Sequence, residues 1–153
     1  MREILFRGKR LDNGDWVEGY LYEHEPPLVG IVSEKDEPEA SKWFIARTGF
    51  ADWNMPRPVE FVEVSPSTVG QYTGLKGKNG KRIFEGDIVK TSDITHEGVI
   101  QISGESFEIA IRKGCWVMVA GEDWDFLETN HECIEVIGNI HDNPELLKGG
   151  EGL

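Results

Sequence analysis

Cysteine is scarce: Cys115 and Cys133 are the two in 153 residues. Two cysteines do not make a disulfide scaffold, and without a Cys-x-x-Cys pair structural zinc is not expected. Long apolar runs are missing as well. No run approaches the ~18 residues of a membrane-spanning helix, and no signal-like segment opens the chain. The expectation is a cytoplasmic chain with reduced thiols and no membrane contact. Positive charge is in deficit: 16 Lys and Arg stand against 28 Asp and Glu, for a net charge of −12. That average field repels a phosphate polymer, so direct nucleic-acid binding is not expected without a local basic patch.

Catalytic signatures are also missing. There is no Gly-x-Ser-x-Gly elbow. Gly74-x-x-Gly77-x-x-Gly80 is glycine-rich, but it sits in a lysine-bearing hairpin rather than a strand-to-helix phosphate loop. His131-x-Cys133 with His141 fits no usual zinc spacing. Cys115, between Gly114 and Trp116 in an apolar run, is expected to be a buried thiol. Glu85 and Asp87 read as two carboxylates solvating a corner rather than an acid/base pair. No catalytic, cofactor or metal residue is assigned, and the chain is not expected to be an enzyme.

What is present is β pattern. Apolar residues make up 39% of the chain and aromatics 10%, which is a globular composition. The most telling stretch runs from Val69 to Lys90. Asn79-Gly80 between two apolar-bearing runs predicts a tight hairpin. Gly86-Asp87 predicts a corner before Ile88 and Val89 open a new strand. Asn13-Gly14 gives a second hairpin signal, ahead of Trp16 to Tyr22. There Trp16, Glu18, Tyr20 and Tyr22 share one face, and Val17, Gly19 and Leu21 the other. Gly19 in mid-strand suggests a bend or a bulky neighbour. Further strands are expected at Leu28–Val32, 43–46, 59–64, 99–102, 107–111, 115–120 and 133–140. Ser65-Pro66 reads as an N-cap followed by proline, and Asn143-Pro144 as the start of a short C-terminal helix. Trp124 and Leu127 are three apart, so a helical turn is expected there.

Tyr72-Thr73-Gly74-Leu75, Asn79-Gly80 and Ile83-Phe84-Glu85-Gly86-Asp87-Ile88-Val89 together resemble the signature of the YopX-like family. Ile4-Leu5-Phe6-Arg7-Gly8-Lys9 is similar to that family's opening. Val136 to Ile140 with Asn143-Pro144-Glu145-Leu146-Leu147 is similar to its close. The resemblance implies a phage or prophage protein of bacteria, of unknown function, on a small SH3-type β-barrel or roll. It brings no catalytic residues.

The expected fold is mainly β. An SH3-like barrel or roll of short antiparallel strands occupies 65–148 and ends in a short helix. Residues 1–64 form an N-terminal β arm or lobe and 149–153 a frayed tail; the alternative is one domain throughout. Trp53, Phe50 and Met55 lie in an apolar, proline-rich loop, and Trp124 lies among acids. These four form the candidate interface for a protein partner, with a homo-oligomer also expected. Lys76, Lys78, Lys81 and Arg82 form the candidate basic patch. The expected function is a non-enzymatic binding or assembly module. The rival is an acidic decoy that mimics nucleic acid and occupies a host nucleic-acid-binding protein.

Overall fold

The computed structural model describes residues 3–25, 41–48, 59–91, 106–120 and 122–148. Its contacts divide the chain into Leu5–Val69 and a second unit of Gly70–Leu153 with Met1–Ile4. The fold is mainly β and its strand pairs are antiparallel. The expected strands at 28–32 and 99–102 lie outside the described residues.

In Leu5–Val69 the strands are β1 (Phe6–Lys9), β2 (Trp16–His24), β3 (Lys42–Thr48) and β4 (Val59–Val64), side by side in the order β4-β3-β2-β1. The alternation read from sequence sorts the side chains onto two faces, and packing identifies the inner one. Val17, Ile45 and Val64 are buried, with Phe6, Leu21, Trp43, Val62 and Val69 packed around them. Gly19 is in mid-strand because nothing larger fits. A Cβ there would collide with the Ala46 carbonyl oxygen and lie 2.9 Å from Ile45 Cγ2. The end of β4 returns to β1: Leu11 N–H donates to the Glu63 carbonyl at 3.1 Å and Ser65 N–H to the Lys9 carbonyl at 2.9 Å. Pro66–Thr68 then makes one 3-10 turn with proline at its start, as expected, but the Ser65 side chain does not cap it. Thr68 ties the turn down instead. Its hydroxyl donates to the Ser65 carbonyl at 2.7 Å and accepts from Lys9 N–H at 2.9 Å.

The second unit holds β5 (Gly70–Lys76), β6 (Arg82–Phe84), β7 (Asp87–Thr91), β8 (Ser106–Arg112), β9 (Cys115–Ala120), β10 (Asp123–Phe126) and β11 (Ile134–Asn139). β5 and β6 are a hairpin, and the other five form a sheet in the order β10-β9-β8-β7-β11. Ile83, Val89, Ile109, Met118, Leu127 and Ile134 make the core. The Asn79-Gly80 hairpin forms with a longer loop than the dipeptide suggests. Gly80 takes φ +74°, but Asn79 does not take a positive φ. Gly80 N–H bonds the Gly77 carbonyl and Gly77 N–H the Lys81 carbonyl, each at 2.9 Å. In β11 a bulge between Val136 and Gly138 shifts the alternation, so Asn139 turns inward and is buried.

Three local expectations are corrected. Trp124 lies in strand β10, and the helical turn comes after it, at Leu127–Asn130, where it sets Leu127 into the core. The C-terminal segment is a five-residue 3-10 turn, Pro144–Lys148, not an α-helix. So short a segment cannot offset helix nucleation, and Leu146 N–H bonds back only three residues, to the Asn143 carbonyl. Cys115 is exposed rather than buried, because β9 starts at the tip of a hairpin whose turn is Lys113 (φ 50°) and Gly114 (φ 76°).

Candidate functional site

The β5–β6 hairpin carries the four cations picked out in the sequence. Two of them meet carboxylates. Lys78 Nζ is 3.6 Å from Glu135, and Arg82 Nη2 is 3.4 Å from Glu3 while its guanidinium lies 5.8 Å from the Tyr72 ring centre. Asn79 also donates to Glu135, at 3.1 Å. Lys76 and Lys81 are exposed. A phosphate approaching this tip meets Glu135 and Glu3 beside the cations.

The corner after β6 is built from the inside. Gly86 takes φ +83°, and Asp87 is 1% exposed, so it does not solvate the corner. Its Oδ2 accepts the Phe84 N–H at 2.8 Å, which links the end of β6 to the start of β7. Glu85 is half-buried, with Oε2 3.4 Å from the Gln71 N–H. The two carboxylates are therefore in unlike settings, and Asp87 is a backbone tie. His131 Nδ1 is likewise engaged, 2.9 Å from the Lys76 carbonyl. No group of three or more His, Cys, Asp or Glu among the described residues could hold a metal ion.

The outer strand β10 presents Trp124 and Phe126 on one side, as strand alternation requires. Their rings meet edge to face at 5.3 Å and 86°, and they are 40% and 46% exposed. Glu122, Asp125 and Glu128, all exposed, lie close by in sequence; alternation turns Asp125 to the other side of the strand, and Glu128 shares a cleft with Phe126. Phe126 also borders a cleft of about 670 Å³ with Thr73, Leu75, Cys115, Trp116 and Glu128. The cleft walls are chiefly apolar. The Thr73 hydroxyl is turned to the Ile83 carbonyl at 2.8 Å. Such a surface can hold an apolar or aromatic group beside a positive charge. Phe50, Trp53 and Met55, the other members of the candidate interface, lie outside the described residues.

A second aromatic surface was missed from sequence. On the outer face of the β1–β4 sheet, register places Tyr20 opposite Ala46, Tyr22 opposite Phe44 and Phe61 opposite Ala46. Tyr22 lies 5.8 Å from Phe61 and 6.4 Å from Phe44 between ring centres. The signal was large apolar residues on the strand face opposite Val17, Leu21, Val62 and Val64. Alternation showed the two stripes, and only the strand register joins them.

The signature residues Tyr72–Leu75 and Ile83–Val89 thus build the bulged hairpin and its buried corner. The sequence model of the family described as YopX protein matches residues 6–148. The chain belongs to the YopX family. Among solved structures, the crystal structure of protein EF1440 from Enterococcus faecalis is similar, covering 96% of this chain and 99% of that one. The identity is 23% and the TM-score 0.50, a likeness that concerns the fold alone. No curated protein matches the chain. No helix among the described residues is long and apolar enough to cross a membrane.

Proposed function

We propose that this YopX family member is a non-enzymatic binding or assembly module acting through protein-protein contacts. The setting is the cytoplasm of a bacterial host, and the fold is an SH3-type roll of phage or prophage kind. The observation that supports this reading is the exposed Trp124–Phe126 pair on the outer strand β10, in an acidic stretch with Glu128 beside Phe126. Exposed rings supply the apolar contact, and the carboxylates favour a basic partner. Self-association belongs to the same reading. The rival remains an acidic decoy for a nucleic-acid-binding protein, favoured by the net charge of −12.

The test is a tagged pull-down from nuclease-treated host lysate at low and high salt, with Trp124→Ala/Phe126→Ala beside the wild type. The expected result is a partner retained at high salt by the wild type and lost by the variant. A basic nucleic-acid-binding protein that elutes with salt and binds both forms equally favours the decoy. Turnover of a small molecule in the cleft beside Phe126 would overturn both.

A further inference from the structure

We propose that the outer face of the β1–β4 sheet is a self-association surface whose partner is a second copy of this chain. The inference rests on the binding-module reading and adds the partner. Tyr20 is 68% exposed, Val59 63%, Phe61 58% and Tyr22 48%. These are not scattered side chains. Tyr22 touches both Phe61 and Phe44, and register places Val59 beside them on β4, opposite Thr48. A contiguous exposed apolar face is the kind of patch that is often functional.

Charge decides which occupant fits. Cross-strand pairing puts Arg7, Lys9 and Lys42 on this face, with Glu18 and Glu63 as its carboxylates. The face is close to neutral on a chain of net charge −12. Two acidic copies repel, and they can meet only where local charge does not add to that repulsion. This face meets that condition and brings both signs to its own mirror, as a two-fold contact requires. A nucleic acid needs an excess of cations along a track. Here Arg7 is stacked over the Trp16 ring at 4.6 Å and stands opposite Glu18.

The size of the face sets the strength. Four strands at ~4.8 Å spacing and seven residues at ~3.4 Å give a face of about 19 by 24 Å. That is about 450 Å² in projection, below the ~800 Å² per partner of a standard interface. A contact of that size belongs with weak, transient associations, so the dimer is expected only at high protein concentration.

The test is sedimentation velocity over a concentration series, at about 0.01 M and about 1 M salt, where the screening length falls from ~30 to ~3 Å. The expected result is a monomer–dimer equilibrium that tightens several-fold as salt rises, because screening removes the repulsion between acidic copies. Tyr22→Glu/Phe61→Glu should abolish the dimer with an unchanged circular dichroism spectrum. Should that variant unfold, Tyr22→Ser/Phe61→Ser serves in its place. Trp124→Ala/Phe126→Ala should dimerise like the wild type. A monomer at every concentration, or a dimer untouched by the Tyr22 and Phe61 changes, overturns the inference. So does binding of a fluorescent single-stranded oligonucleotide that these changes remove. A monomer that still captures a partner through Trp124 and Phe126 overturns self-association alone and leaves the binding module standing.

Discussion

The backbone N–H of Phe84 donates to Oδ2 of Asp87 at 2.8 Å, and the carboxylate that accepts it is 1% exposed. The bond spans the corner between β6 and β7, where Gly86 reverses the chain. Asp87→Ala should leave the Phe84 N–H without its acceptor in the interior, at a cost of about 1–3 kcal/mol. Asp87→Asn keeps an oxygen in place and should cost less. Urea unfolding monitored by tryptophan fluorescence measures both. An alanine variant as stable as the wild type would remove the corner tie.

Two glycines should respond to alanine for different physical reasons. Gly19 takes no positive φ, but its Cβ would strike the Ala46 carbonyl and crowd Ile45. Overpacking between β2 and β3 should cost about 1–3 kcal/mol. Gly14 has nothing within 4 Å of a Cβ but holds φ +75°. Its alanine should lose about 1–2 kcal/mol through backbone conformation alone. Gly14→Asn, which tolerates that region, should recover part of the loss. Gly19→Asn should not recover any.

The two thiols should react at different rates. Cys115 is exposed at the tip of the β8–β9 hairpin, and Cys133 is half-buried ahead of β11. A thiol reagent such as dithionitrobenzoate should modify one cysteine quickly and the second slowly. Cys115→Ser should remove the fast phase and change stability by less than about 0.5 kcal/mol. A fast phase that survives this substitution would reverse the assignment.

Asp12 and Arg10 should titrate as a pair. Arg10 Nε and Nη2 bond the two Asp12 oxygens at 2.8 and 2.6 Å. The guanidinium hydrogen bond holds the Asp12 carboxyl below its usual value and raises Arg10. A depressed folded value means that any stability from the pair is present above the unfolded carboxylate range, near ~3.9, and is lost as pH falls through the folded value. Carbon-detected NMR titration should show Asp12 ionising at lower pH than it does in Arg10→Gln. Equal midpoints would mean the pair does not persist in solution. Asp12 is exposed and Arg10 partly so, and the pair is open to solvent screening, so the effect on global stability should be small.

Local chemistry in the sequence settled much of this molecule. Period-two alternation separated Val17, Leu21, Val62 and Val64 from Tyr20, Tyr22 and Phe61, because side chains on a strand have only two sides; packing showed that the first set is the inner one. Gly14, Gly80 and Gly86 marked the turns, since a positive φ is cheap only without a Cβ. The Val69–Lys90 stretch also announced the family, which the match over residues 6–148 bears out. Tertiary structure decided what depends on neighbours distant in sequence. Asp87 reads as a solvated carboxylate until the corner folds over it and a backbone N–H needs an acceptor. Cys115 reads as core until its place at a hairpin tip exposes it. Trp124 reads as part of a helical turn until pairing with Val119 on β9 makes it strand. Tyr22 and Phe61 become one surface only through the register of β2, β3 and β4. Spacing along the chain cannot specify which strands are neighbours, and the surfaces proposed here are made by that choice.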